Sequence, residues 1–232
     1  MNDATRKAIA ISSLLVLTFL FFFQIPKEKI KGKGSNVAII SKAGIFGALS
    51  SLLYVIPFFS LRLPFFPEFL TIHFDEVPAL LIGLAEGPLC AFLVLLCKTF
   101  IKLPFTTTAS VGEWADLLLS LLFILPVCFV CRNRKNARSL CLGLGLGLIF
   151  QLAGATLANV FILIPTYSSI YGIPMDALLS LCQKANPAIK DLSWGYALFA
   201  VLPFNVIKDA AVVALSVTLY KALKVFIDKK PH

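Results

Sequence analysis

The sequence predicts an all-α membrane protein, a bundle of six transmembrane helices preceded by one additional N-terminal anchor helix. Hydrophobic residues make up 59% of the 232 residues and charged residues only 14%, whereas soluble domains contain about 45–50% and about 25%. Apolar stretches near the length that crosses a bilayer also recur along the chain. These observations exclude a water-soluble globule, a disordered chain, a coiled coil and a collagen-like fibre.

The distribution of positive charge predicts the topology. The formal net charge is +9, and most of the cations lie in three short clusters between or after the apolar stretches. Cytoplasmic loops of membrane proteins carry such an excess, so we expect all three clusters, and the C-terminus, on the cytoplasmic side of the cell membrane. This placement argues against nucleic acid as a partner. The clusters are Lys27, Lys29, Lys31, Lys33 and Lys42; Arg132, Arg134, Lys135 and Arg138; and Lys221, Lys224, Lys229 and Lys230.

The first apolar stretch, residues 8–25, is predicted to be an uncleaved anchor. It follows Arg6 and Lys7, as a signal peptide would, but no small-residue cleavage site follows it. The five lysines of the first cluster outweigh the two upstream cations, which places the N-terminus outside. The predicted domains are therefore 1–34, the anchor and a basic linker, and 35–232, the six-helix domain.

The core helices follow from the remaining apolar stretches. If residues 76–103 formed one helix, the second basic cluster would lie outside the cell, contrary to the positive-inside rule. Gly87-Pro88 is a turn signal within that stretch, so we predict two helices there, the first too short to span the membrane alone at roughly 16 Å. The predicted core helices are 37–59, 76–86, 88–103, 112–131, 139–164 and 194–225, with outer loops at 58–75, 104–111 and 165–193.

Polar side chains within the apolar stretches are the candidate binding residues, because burying them in a membrane is costly. Asn205 and Lys208 are three residues apart and share one helical face. An amide that donates and accepts, beside an ammonium that donates, suits a ligand rich in carbonyl and N–H groups. The alternative is a lysine paired with Asp209 or another acid, and an asparagine that joins helices.

Acidic residues open two of the predicted helices. Glu113 and Asp116 follow Gly112, and Asp75 precedes Glu76. A favourable interaction with the helix dipole explains acidic residues at these positions about as well as ligand binding does. His73 with two neighbouring acids is too weak a pattern to predict a metal site, and the sequence predicts no cofactor.

Each of two further segments fits two different structural roles. The loop 61–69 is apolar, aromatic and stiffened by two prolines, which is typical of a lid over a cavity or of an interfacial anchor. The small residues Ala43, Gly47 and Ser51, overlapped by Gly44 and Ala48, lie on one side of the helix 37–59. Such spacing indicates either packing within the bundle or docking to another membrane subunit.

Four segments, taken in order, resemble the riboflavin-specific substrate-binding (S) components of energy-coupling factor (ECF) vitamin transporters. The resemblance extends over roughly residues 37–225. The segments are FDEVPALLIGLAEGPLCAFLVLLCKT at 74–99, VGEWADL at 111–117, NVFILIPTYS at 159–168 and PFNVIKDA at 203–210.

The resemblance implies a six-helix S component that captures a vitamin from outside the cell and has no catalytic activity. A transmembrane coupling protein and two ABC ATPases would drive uptake, since this chain has no phosphate-binding loop motif. The resemblance implies that Asn159, Asn205 and Lys208 contact the ligand. It also implies that Ala43, Gly47 and Ser51 form the docking face. Riboflavin would be the transported ligand, with Phe65 and Phe66 near its dimethylbenzene end and Gly112, Glu113 and Asp75 among the surrounding residues.

The sequence also departs from the family pattern, which reads Gly-Glu-Leu-Ala-Asn where this chain has Gly-Glu-Trp-Ala-Asp at 112–116. An aspartate in place of an amide only accepts hydrogen bonds when ionised. Three alternatives therefore stay open: an S component for another vitamin or flavin, an intramembrane enzyme that uses paired carboxylates, and an assembly subunit without a ligand.

Overall fold

The computed structural model describes residues 32–106, 108–133 and 136–227. The anchor predicted at 8–25 lies outside the described residues, so it and the domain boundary after residue 34 stay predictions. The chain divides into two compact units, Met1–Ala38 and Ile39–His232. The site described below belongs entirely to the second unit.

The described part of the chain is mostly helical, in agreement with the predicted fold class. Two short strands, β1 (Leu61–Arg62) and β2 (Thr71–Ile72), form an antiparallel hairpin in the loop after the first helix, with Leu61 opposite Ile72. The helices are α1 (Gly32–Val55), α2 (Glu76–Glu86), α3 (Pro88–Lys102), α4 (Val111–Cys131), α5 (Ala137–Ala158), α6 (Ile164–Tyr171), α7 (Met175–Ala185), α8 (Trp194–Tyr196) and α9 (Leu202–Ile227).

The predicted break at Gly87-Pro88 is confirmed. Gly87 has φ +106° and ψ 177°, a conformation open almost only to glycine. Pro88 then begins α3, where its fixed φ and missing N–H suit the first turn of a helix. The chain therefore reverses after the 11 residues of α2.

Two long helical segments contain a π-helical stretch, and each stretch is followed by a proline. Residues Asn159–Leu163 join α5 to α6, which contains Pro165, and residues Ala197–Val201 join α8 to α9, which contains Pro203. A proline inside a helix cannot donate to the preceding turn and displaces its carbonyl, and π-bulges are a common local response. The prediction that 165–193 is a plain connection was incomplete, because α6 prolongs the preceding helix and α7 is an amphipathic helix within it.

Five helical segments are long and apolar enough to cross a membrane among the residues described, which supports a multi-pass membrane protein. These segments are Val37–Val55, Pro88–Phe105, Val111–Cys131, Ala137–Tyr171 and Trp194–Tyr220. The short helix α2 is instead enclosed by protein, since it packs against α3, α4 and α9 and its residues from Glu76 to Leu84 are all buried. A helix too short to span is tolerated where other helices surround it.

Candidate ligand-binding site

Asn159 and Asn205 each lie in or near one of the two π-helical stretches. Asn159 is the first residue of one stretch, and Asn205 lies four residues after the other ends. Each side-chain Nδ2 donates to the carbonyl four residues earlier in its own helix, to Ala155 at 2.9 Å and to Val201 at 2.8 Å. These bonds fix both side chains, and each amide retains a second N–H and a carbonyl oxygen for another partner. Both residues are buried.

Tyr196 connects the two asparagine-bearing segments. It is fully buried at the start of the last long helical segment, and its hydroxyl donates to Oδ1 of Asn159 at 3.3 Å. The Tyr196 ring also lies against the ring of Phe69, which comes from the hairpin loop, with centroids 6.3 Å apart. Phe69 touches Tyr167 as well. The amide of Asn159 is therefore held from the loop side by an aromatic cluster.

The hairpin loop closes over this part of the bundle through Phe66. Its ring packs against Phe204, the residue before Asn205, with centroids 5.5 Å apart. Phe65 differs from its neighbour, because it is 73% exposed. Of the two predicted loop contacts, only Phe66 is packed against the helices. The packing of Phe66 and Phe69 fits the predicted lid better than a simple interfacial anchor.

Lys208 lies one turn beyond Asn205 and is buried with it. Its Nζ donates to Oε1 of Glu76 at 2.8 Å. The sequence left open a pairing with Asp209, but the acid that Lys208 pairs with is Glu76, 132 residues earlier in the chain. A buried ion pair of this kind fixes the ammonium in one place, because either charge without the other would be strongly destabilising.

A second lysine, Lys98, lies beside this pair and was not among the predicted site residues. It is fully buried, and its Nζ donates to the carboxylates of Asp75 and Asp116, the latter at 2.8 Å. It also donates to the Ser120 hydroxyl at 3.2 Å, and that hydroxyl donates to Oε1 of Glu76 at 2.7 Å. Asp75, predicted as a ligand contact, is therefore bonded to Lys98.

Glu113 is held by a threonine loop at the start of α4. The hydroxyls of Thr106 and Thr108 donate to its Oε2 at 2.8 and 2.7 Å. Gly112 is required here, because a Cβ at this position would lie 2.7 Å from the Thr108 hydroxyl oxygen, to which its N–H donates. Both predicted residues therefore shape one corner of the buried polar region, and a ligand contact from Glu113 stays a prediction.

The predicted docking residues Ala43, Gly47 and Ser51 are buried in the bundle. A Cβ on Gly47 would lie 2.8 Å from Sγ of Cys97 in α3, and the Ser51 hydroxyl donates to the Gly47 carbonyl. Their position favours packing within the bundle over docking to another subunit. The other small residues of the same helix, Gly44 and Ala48, are exposed, and nothing lies within 4 Å of a Cβ built at Gly44.

Among the described residues, no group of three or more His, Cys, Asp or Glu side chains is arranged to hold a metal ion. His73 lies against the Tyr54 ring, with centroids 5.2 Å apart, and burial lowers its pKa to about 4. Its neighbourhood therefore favours a neutral imidazole.

Sequence reasoning missed Lys98, Ser120, Tyr196 and the pairing role of Glu76. The signal for Lys98 was present, since a lysine within an apolar helix needs a buried acid. Its partners lie 18 and 23 residues away along the chain, so no local spacing identifies them.

Buried amides and an ammonium lie beneath an aromatic loop inside a membrane helix bundle, a set of groups whose chemistry suits a small ligand with polar and aromatic parts. The profile of the family "ECF transporter, substrate-specific component" matches residues 36–220. The chain belongs to this family.

Two relatives agree with that assignment, and a solved structure agrees with the fold. The chain is 28% identical over 181 residues to the riboflavin transporter RibU of Staphylococcus aureus (strain TCH60), a match that covers 78% of this chain and 89% of the relative. It is 26% identical over 195 residues to the riboflavin transporter FmnP of Bacillus subtilis (strain 168), covering 82% and 96%. Its fold matches the solved S component of a bacterial ECF transporter with a TM-score of 0.65 and 24% identity, over 84% of this chain and 99% of that one.

Proposed function

We propose that this S component captures riboflavin from outside the cell and delivers it for ATP-driven uptake by partner subunits. The observation that carries the proposal is that Asn159, Asn205 and Lys208 are all buried, while Phe204, next to Asn205, packs under Phe66 of the hairpin loop and Asn159 is bonded to Tyr196. Both relatives named above are riboflavin transporters, which supports the same ligand here.

The chemistry of the three side chains fits the pyrimidine edge of a flavin. That edge alternates carbonyl oxygens with an N–H, so it needs donors and an acceptor side by side. Asn205 supplies both through its free N–H and Oδ1, and the Lys208 ammonium has donors beyond the one given to Glu76. Phe66 would lie at the dimethylbenzene end, and the threonine loop around Glu113 would meet the ribityl hydroxyls.

The proposed topology has six core helices, α2 being the short one, plus the N-terminal anchor. It places the hairpin loop outside the cell and the turn at Gly87 inside, together with the three basic clusters and the C-terminus. This arrangement satisfies the positive-inside rule. A cysteine placed at position 65, which is exposed on the loop, would test this topology. An impermeant thiol reagent added to intact cells should label it. Labelling only after lysis would mean that the orientation is the opposite one.

A transmembrane coupling protein and two ABC ATPases are the proposed partners, and α1 is the proposed docking helix. Because Gly47 is packed against Cys97, the exposed small residues Gly44 and Ala48 are better placed to receive a partner helix. We expect Gly44→Leu to leave riboflavin binding intact and to abolish uptake. The matched change Gly47→Leu should instead lower the thermal stability of the isolated protein, and equal behaviour of the two variants would contradict this placement.

Titration of the purified protein with riboflavin, followed by quenching of flavin fluorescence, tests the proposal directly. Saturable quenching at a one-to-one ratio is expected. Absence of quenching would overturn riboflavin as the ligand and leave the alternative of another vitamin or flavin, to be found with a panel of vitamins.

The enzyme alternative has little support from the geometry. It requires free carboxylates as acid and base, but Asp75 and Asp116 are bonded to Lys98 and Glu76 is bonded to Lys208. Glu113, the remaining candidate, accepts from the hydroxyls of Thr106 and Thr108.

A further inference from the structure

Ser120 is the neutral link between two groups of buried charges. On one side, Lys98 is bonded to Asp75 and Asp116; on the other, Lys208 is bonded to Glu76. The Ser120 hydroxyl accepts from Lys98 at 3.2 Å and donates to Glu76 at 2.7 Å. Its oxygen therefore accepts on the Lys98 side, and its single O–H donates on the Lys208 side.

The bonds form a continuous series across four elements of the bundle. Asp75 and Glu76 lie at the start of α2, Lys98 in α3, Ser120 in α4 and Lys208 in α9. Lys98 and Ser120 are fully buried, as is Glu76. Buried hydrogen bonds to charged groups are stronger than those at a surface, so this series holds Oε1 of Glu76, the same oxygen that accepts from Lys208.

Lys208 needs such support if it is to present a donor to a ligand. A lysine side chain has four rotatable methylenes and a point-like charge, so it has no preferred direction of its own. Oε1 of Glu76 accepts from both Lys208 and Ser120, which means that the position of this oxygen sets the position of the ammonium. Lys98 sets the position of the Ser120 hydroxyl in turn.

We propose that Ser120 and Lys98 are positioning residues for the ligand-binding ammonium of Lys208 and act on it through Glu76. This inference rests on the proposed function and extends it to two residues without ligand contact. It predicts that loss of the Ser120 hydroxyl weakens ligand binding only because Lys208 is then less well placed.

The first test compares Ser120→Ala with Ser216→Ala in riboflavin titrations of the full chain. Both serines are fully buried, but the Ser216 hydroxyl has no hydrogen-bond partner among the described residues. We expect Ser120→Ala to raise the riboflavin Kd roughly tenfold, the loss of one charge-assisted bond, and Ser216→Ala to leave it unchanged. Ser120→Thr, which keeps the hydroxyl, should recover most of the affinity.

A double-mutant cycle separates positioning from general loosening of the bundle. In the Lys208→Met background, Ser120→Ala should cause no further loss of affinity, because the group that it positions is gone. In the Asn205→Ala background, Ser120→Ala should still cost its full roughly tenfold loss. An equal Ser120→Ala effect in both backgrounds would overturn the inference, as would unchanged affinity of the single variant.

The same titrations distinguish the two proposals. If the wild-type protein binds riboflavin and Ser120→Ala binds equally well, only the positioning inference fails. If the wild-type protein does not quench riboflavin, the proposed function fails and the inference fails with it.

Discussion

Two neighbouring regions of the bundle hold their polar side chains in different ways. In the amide region, Asn159 and Asn205 each bond to a carbonyl four residues back in the same helix. In the charged region, Lys98 and Lys208 bond to acids that lie on other elements. Both amides are fixed within their own helices, and Asn159 also accepts from Tyr196, whereas the charges are fixed only when the helices have come together.

This difference has an energetic consequence. Replacing an asparagine of this region removes a neutral hydrogen bond and leaves no charge unpaired, so the protein tolerates the mutation. A buried charge that loses its partner has no local substitute. We therefore expect mutations in the charged region to change stability as well as binding, and mutations in the amide region to change binding alone.

The largest effect is expected for Lys98→Met. The change leaves Asp75 and Asp116 without their shared cation, which for a broken buried pair costs about 3–5 kcal/mol. Thermal unfolding in detergent should show a markedly lower Tm than for Lys102→Met, the matched lysine one turn further along, which is only half buried. If the two variants had equal Tm values, the charged region would not be the stabilising element described here.

The next effect concerns affinity. Lys208→Ala and Asn205→Ala should each weaken riboflavin binding by about 1–3 kcal/mol, because a buried ligand group loses its partner. Only Lys208→Ala should also lower the Tm, since it leaves Glu76 without a cation. Titration and thermal unfolding of both variants check this, and a stability loss from Asn205→Ala would remove the distinction between the regions.

A smaller effect is expected from pH through His73, which lies outside the spanning segments. Because burial lowers its pKa to about 4, from about 6.5 in an unfolded chain, the unfolded state binds more protons between these values. Stability from the neutral imidazole is therefore present above about pH 6.5 and is lost as pH falls towards 4, by on the order of 1 kcal/mol near pH 5.5.

Thermal unfolding of wild type and His73→Phe across this pH window measures the His73 contribution. The variant should lose less stability on acidification than the wild type. Parallel curves would mean that His73 is equally easy to protonate in the folded protein.

The smallest effect is expected for Tyr196→Phe, which removes the donor to Oδ1 of Asn159 and keeps the ring against Phe69. The free energy of riboflavin binding should become less favourable by about 0.5–1 kcal/mol, the net value of a neutral hydrogen bond. Riboflavin titration against Tyr171→Phe as control measures it, since Tyr171 is about half exposed. A loss as large as that of Asn205→Ala would mean that the amide region depends on contacts between helices after all.

The same division between local and long-range contacts separates what could be predicted about the site from what could not. The two buried asparagines could be picked out because an amide in an apolar helix is conspicuous, and their contact with a ligand stays a prediction. The break at Gly87-Pro88 was predicted because its two residues act locally. Lys98 and its bond to Asp75 were missed, because the two residues lie 23 positions apart in the chain. The docking face was predicted on Ala43, Gly47 and Ser51, which are buried in the structure, with Gly47 against Cys97. Small-residue spacing alone does not tell which side of a helix faces a neighbour.

By itself, the sequence determined that this protein is a helical membrane protein, roughly where its long helices begin, and which polar side chains the membrane would have to accommodate. Those properties depend on apolar length, on charge placement and on the restricted conformations of glycine and proline, all of which act within a few residues. Only the tertiary structure decided which acid neutralises which lysine and which helix face is covered. These choices depend on desolvation and hydrogen-bond geometry between residues up to 132 positions apart, and they exist only in the packed bundle.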